Sequence, residues 1–211
     1  EFIPHLHEAR FNGGEPFLIK IYYDIWDQFI ELNPNCRMVI ATNGTTLNKR
    51  AKSILEKGNF HINLSIDSLI PERYSEIRVN GNLEKVLENF LYFKEYCQTN
   101  DRSICIMINP MRNNWEEMPA FVNFCNDHNV HLWFNSIMYP EDLSLWKLPY
   151  EELKEIYAKL SSETFEYKSG GKKNIYKYNV ETYKNLVFNQ IKTWMDDAQQ
   201  RASDKGETEK N

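Results

Sequence analysis

Residues Arg10-Phe11-Asn12-Gly13-Gly14-Glu15-Pro16-Phe17 decide how this chain is read. The stretch reads as the end of a strand, a turn of two glycines, and a helix that begins at a proline. Glycine accepts positive φ and lets a ligand come close to the backbone. Pro16 suits a first helical position, where a missing N–H removes nothing. Beyond it, Leu18, Ile21, Tyr22, Ile25, Trp26 and Phe29 are spaced for one helix face. Two glycines and a carboxylate therefore sit where a strand delivers the chain into a helix, which is where parallel α/β folds bind ligands. By itself the stretch also fits a plain turn with a solvated Glu15, so the rest of the chain has to decide.

Working outward, Ile3 to Glu8 leads into a short first strand over 9–12. His5 and His7 are two apart and would not share a helix face. The first helix stops at Asn33-Pro34-Asn35, and the apolar strand Met38 to Thr42 follows. It ends in Asn43-Gly44-Thr45-Thr46, which opens a helix from Leu47 to a stop at Gly58. The strand 60–67 puts Phe60, Ile62, Leu64 and Ile66 on one side and His61, Asn63, Ser65 and Asp67 on the other. A short helix runs from Pro71 to Arg78, and a longer one from Leu83 to Cys97. Ile104, Ile106 and Ile108 then alternate with Cys105, Met107 and Asn109. A helix over 115–128 precedes a strand over 130–137.

Strand and helix thus alternate five times, which calls for a parallel sheet with right-handed crossovers. Strands covered on both faces read as continuous apolar runs. These strands keep one apolar and one mixed polar face. A barrel or half-barrel with helices outside and a ligand-holding interior explains that better than a doubly wound sheet.

The 211 residues suffice for a domain with a real core, and the net charge of −5 offers no general attraction to nucleic acid or an anionic membrane. No apolar run is long enough to span a bilayer, and the first residues lack a signal peptide, so a cytoplasmic protein is expected. Cys36, Cys97, Cys105 and Cys125 are too far apart for a zinc ribbon or a local iron–sulfur loop, and read as free, mostly buried thiols. A metal site at Cys125, His128 and His131 would need a helix end and a strand start to converge by chance. No metal ligand and no catalytic residue is assigned within the chain.

Gly13-Gly14-Glu15-Pro16 after one strand, Thr42-Asn43-Gly44 after the next, Ser65-Ile66-Asp67-Ser68 at the end of the third, and Arg78 before Asn80-Gly81-Asn82 together resemble a radical S-adenosylmethionine (SAM) enzyme over most of residues 9–137. The stretches around Asn114-Trp115 and 140–149 are similar to its peptide-modifying branch, which carries a SPASM or twitch domain. The resemblance implies a partial, TIM-like (β/α)6 barrel missing its first strand, plus C-terminal helices. It implies SAM and a [4Fe–4S] cluster as cofactors, and a 5′-deoxyadenosyl radical that abstracts hydrogen from a peptide or protein. It also assigns residues. Gly13, Gly14 and Glu15 would receive the SAM ammonium. Thr42 or Asn43, with Ser65, would contact the ribose or the methionine part. Arg78 would pair with the SAM carboxylate, and Asn109 would reach the ribose. The residue types suit these tasks, since an ammonium needs acceptors and a carboxylate suits the planar fork of Arg.

The family's CxxxCxxC cluster loop is not in these 211 residues. The chain is therefore expected to be part of a longer enzyme and inactive alone, with its cluster ligands elsewhere, or else a noncatalytic barrel remnant that binds a partner or a nucleoside. The expected divisions are a partial barrel over 1–140, a helix over 141–166, a basic linker over 167–179, a C-terminal helix over 180–200 and a disordered tail over 201–211. Nucleic-acid binding through Lys168 to Lys177 conflicts with the acidic whole.

Overall fold

β1 (Glu8–Phe11) is followed by a 3-10 turn at Pro16–Leu18 and by α1 (Lys20–Leu32) in this computed structural model, which describes residues 2–208, with side chains through Ser203. Ile19, between turn and helix, is extended (φ −85°, ψ 107°), so the proline opens a separate turn and not α1 itself. The break rotates the expected helix face. Leu18 and Ile21 are 65% and 62% exposed, whereas Trp26 and Phe29 are buried as expected and Tyr23 completes the stripe.

Then come β2 (Arg37–Thr42), α2 (Lys49–Lys57), β3 (Phe60–Ser65), α3 (Pro71–Ile77), α4 (Leu83–Thr99) and β4 (Ile104–Ile108). β1 to β4 pair in parallel, with Phe11 opposite Ile40, Ile40 opposite Ile62, and Ile62 opposite Ile104. The expected alternation holds. Phe60, Ile62 and Leu64 are buried, whereas His61, Asn63 and Ser65 are half-buried. Polar groups occupy the second face: Arg37 donates to both Glu8 and Ser103, and Ser103 N–H donates to His61 Nδ1 at 2.9 Å. On the apolar side Trp26 packs edge-on against Phe11, Tyr23 and Phe60, with ring centroids 5.0–5.6 Å apart, an arrangement that adds ~1 kcal/mol per pair to simple burial.

α5 (Met118–His128) leads to β5 (His131–Phe134), which follows β4 in a sheet whose strand order is β1-β2-β3-β4-β5. α6 (Tyr150–Ser161), α7 (Lys173–Asn185), a π-helical segment (Leu186–Ile191) and α8 (Lys192–Thr208) complete the chain. The fold is α/β, as expected. The chain forms two compact units, residues 1–66 with 70–107 and residues 67–69 with 108–211. That division does not follow the expected boundary at residue 140.

Two further expectations are corrected here. The basic linker over 167–179 contains the first half of α7, whose buried residues Ile175, Asn179 and Tyr183 recur every four positions. Only two of these are apolar, so the period is hard to see among lysines and asparagines. α8 carries the expected tail as helix through Thr208, and Arg201 Nη2 donates to Trp146 O at 2.8 Å. The last part of that tail, 209–211, lies outside the described residues.

Candidate functional site

Glu15 does not face solvent. It is 7% exposed, and its carboxylate draws the turn after β1 onto the end of β2. Thr42 Oγ1 donates to the two carboxylate oxygens at 2.8 and 2.9 Å, Asn43 N–H donates at 2.8 Å, and Phe17 N–H donates at 3.3 Å. Burial pushes the Glu15 carboxyl above its usual range, and the Asn43, Thr42 and Phe17 donors pull against that shift. No basic side chain forms an ion pair with it among the described residues. The site therefore holds a desolvated carboxylate with neutral donors and no cation.

Asn12, Gly13 and Gly14, next to this carboxylate, are exposed. Both glycines have positive φ, at 93° and 58°, and a Cβ built on either would meet nothing within 4 Å. The turn is open on its outer side yet anchored behind, where Tyr22 OH donates to Asn12 O and Tyr23 OH donates to Phe17 O, each at 2.9 Å. Gly44 is the opposite case. Its φ is 74°, and a Cβ there would lie 2.5 Å from Leu64 Cδ1 and 3.2 Å from Val86 Cγ1. Gly44 N–H donates to Thr42 Oγ1 at 3.0 Å, and Gly44 O accepts from the buried Asn89 amide at 2.8 Å.

The structure thus separates the expected ligand contacts. Gly13 and Gly14 present open backbone beside Glu15. Thr42 is buried, and its hydroxyl serves Glu15 and Gly44, so it positions the carboxylate. Asn43 gives its N–H to Glu15, while its side-chain oxygen accepts from Thr45. Ser65 is half-buried at the end of β3, on the polar face with Asn63. Arg78 is the half-buried C-cap of α3, in a tight turn where Gly81 N–H donates to its carbonyl at 2.6 Å.

The second unit holds a similar clamp, which the sequence reading missed. Glu117 is buried and accepts from Ser68 Oγ at 2.8 and 3.0 Å and from Leu69 N–H at 2.7 Å. This is the Glu15 pattern again: a hydroxyl and the next residue's N–H on one carboxylate. Beside it, Asn109 donates N–H and Nδ2 to Asp67 Oδ1, both at 3.0 Å, and Asn114 Nδ2 donates to Asp67 O and Asn109 O. Asn109 therefore commits its backbone N–H and one of its two Nδ2 donors to Asp67, and keeps the second Nδ2 donor and its side-chain carbonyl oxygen. The sequence signal was Ser65-Ile66-Asp67-Ser68, where two consecutive polar residues, Asp67 and Ser68, break the alternation at the strand end.

The Radical SAM superfamily model matches residues 2–125. The chain belongs to the radical SAM superfamily. It is 32% identical over 158 residues to the GTP 3′,8-cyclase of Limosilactobacillus fermentum, covering 72% of this chain and 46% of that protein. It is 28% identical over 156 residues to the GTP 3′,8-cyclase of Lactiplantibacillus plantarum, covering 71% of this chain and 45% of that one. The chain thus spans about half the length of the curated relatives it matches. Among solved structures, Streptococcus suis SuiB bound to S-adenosylmethionine has a TM-score of 0.54 at 18% identity, covering 73% of this chain and 36% of that one. Native anSMEcpe with bound AdoMet has a TM-score of 0.53 at 17% identity, covering 76% and 47%. These two likenesses establish the fold.

Radical SAM enzymes use SAM and a [4Fe–4S] cluster. The residues present fit the amino end of SAM: open backbone at two glycines beside a buried carboxylate that has no cation. They do not fit the cluster. Among the described residues no three His, Cys, Asp or Glu side chains are grouped to hold a metal ion. Cys36, Cys97 and Cys125 are buried and Cys105 is half-buried, and burial pushes the Cys97 and Cys105 thiols up to about 12. Iron–sulfur ligation needs thiolates.

Proposed function

We propose that this chain is the SAM-holding part of a radical SAM enzyme. The observation that carries the reading is the Gly13-Gly14 turn, open to a ligand on one side and backed by the buried carboxylate of Glu15. When bound in this family, SAM supplies a hydrogen-abstracting 5′-deoxyadenosyl radical. The residues of this chain bind and orient. Carbonyl oxygens of the glycine turn and Glu15 accept from the SAM ammonium, which would supply the cation the carboxylate lacks. Thr42 and the Asn43 N–H hold that carboxylate in place. Arg78 pairs with the SAM carboxylate, and Ser65 contacts the ribose or the methionine part.

Two substrate readings have support. The stretches near Asn114 and 140–149 favour a peptide or protein, in keeping with a structural neighbour described as bound to a precursor peptide. The curated relatives are GTP cyclases at higher sequence identity, which favours a purine nucleotide. Turnover assays of the complete enzyme with GTP and with a peptide would separate them.

Calorimetric titration with SAM tests the binding role. Arg78→Ala in the complete enzyme should weaken SAM binding by about 2 kcal/mol, the range for a lost charge-assisted hydrogen bond. An unchanged affinity would remove Arg78 from the site.

A further inference from the structure

We infer that a cavity between β5 and α7 binds a guanidinium or alkylammonium group. The cavity has a volume of about 260 Å³, and Trp133, Phe134, Tyr178, Glu181, Asn185 and Gln190 are among its lining residues. All belong to the second compact unit. The single formal charge in the lining is negative, at Glu181. Glu181 forms no ion pair among the described residues, although Lys177 and Lys184 lie one turn away on the same helix. Gln190 Nε2 gives one of its two N–H donors to Ser136 Oγ, and its carbonyl oxygen is available as an acceptor. Trp133 is 45% exposed although it sits in a strand, and Tyr178 is also exposed. The exposed indole of Trp133, with Tyr178 held edge-on against His131 at 5.0 Å, beside an unpaired carboxylate suits a weakly hydrated organic cation with N–H donors.

A second feature points to the same place. Leu186 and Gln190 belong to the π-helical segment 186–191, which forms part of the cavity wall. π turns inside helices concentrate at functional sites. Here the wider turn breaks the regular register between α7 and α8 at the residues that line the cavity.

The cation could be a free small molecule or the side chain of an arginine or lysine in a peptide. The proposal does not depend on the SAM reading, because none of the lining residues belongs to the glycine-turn site.

The test uses the intact protein and the indole N–H resonance of Trp133, assigned by its loss in Trp133→Phe. N-acetyl-arginine methylamide is titrated against its neutral isostere, N-acetyl-citrulline methylamide. The arginine compound should shift the Trp133 resonance and bind at least about tenfold tighter than the citrulline compound. Glu181→Gln, at an exposed position that the fold does not need charged, should remove that preference and leave SAM binding unchanged. A third titration, with a glycine-flanked arginine peptide, separates the sources. Tighter binding than the single residue assigns a peptide, and equal binding assigns a small cation. Equal binding of arginine and citrulline compounds, no effect of Glu181→Gln, or tighter binding of guanosine at Trp133 would each overturn the inference.

Discussion

A carboxylate held out of water without a cation makes stability depend on pH, and Glu15 is such a group. Its folded pKa lies above the ordinary 4.5, chiefly through burial. The folded state then holds the proton more tightly than the unfolded chain does. The contribution of Glu15 is therefore fully present below 4.5 and is lost as pH rises through the folded value. Glu15→Gln keeps an acceptor for Thr42 and Asn43 but does not titrate. The stability of the native protein relative to Glu15→Gln should fall as pH rises from 4 toward 7. Urea midpoints of both proteins across that range will show it, and a constant difference would mean that Glu15 is better solvated than its 7% exposure implies. The glycines give a second contrast. Gly44→Ala should cost about 2–4 kcal/mol, because it adds positive-φ strain to a collision with Leu64. Gly13→Ala meets nothing and should cost only about 1 kcal/mol, yet weaken SAM binding by filling the open side of the turn. Thermal melts paired with calorimetry separate the two effects. The turn at Gly13 and Gly14 was legible in the sequence because two glycines after a strand suit positive φ, whereas the burial of Glu15 was not, since the same residues also fit a plain turn with a solvated carboxylate. Nor was the role of Thr42. A strand alternates its faces, and only the pairing of Thr42 with Leu64 shows that this hydroxyl points into the helix-packed side toward Glu15.

At the scale of elements, the strands were the most legible part. β3 and β4 alternate buried and half-buried residues as their sequences do, because a strand's period of two leaves one face for each class. α7 was least legible, and its work explains why. It lies along β5, where Asn179, fully buried, accepts from Leu132 N–H and donates to Val130 O, each at 2.9 Å. One polar side chain thus pairs strand groups that a neighbouring strand would otherwise take, which is one way to blunt a sheet edge. A helix that contacts a strand through an asparagine leaves a polar signature, so its sequence resembles a linker. Asn179→Leu keeps the volume and removes these two hydrogen bonds and a third, to Asn126 Oδ1 at 3.0 Å, leaving a buried N–H and C=O unpaired. The expected loss is about 2 kcal/mol or more. Denaturant unfolding would measure it, and hydrogen exchange at the Leu132 amide should speed up in the variant. Unchanged exchange would show that another group covers the edge.

At the scale of the whole chain, the family match covers residues 2–125, but no group of metal-ligating side chains is found among the described residues. The thiols show why. Burial raises Cys36, Cys97 and Cys105, so the form that binds iron is disfavoured at each. Cys97 lies buried in the last turn of α4, and Cys125 lies buried on α5. Assembling a cluster on three or four of them would require opening the packed units that bury them. Residues 1–211, reconstituted anaerobically with iron and sulfide, should therefore bind well under one cluster per chain and form no 5′-deoxyadenosine from SAM under a strong reductant. SAM itself should bind weakly, held only by the glycine turn, Glu15 and Arg78, because no iron anchors its amino and carboxylate groups. Adding a polypeptide that carries a CxxxCxxC loop should raise both iron content and SAM affinity if the two parts assemble. Iron analysis, the absorbance of the reconstituted protein and a product assay read these outcomes separately. Close to four irons per chain for residues 1–211 alone, with 5′-deoxyadenosine formed, would show that the buried thiols can converge and that this account of the metal chemistry is wrong.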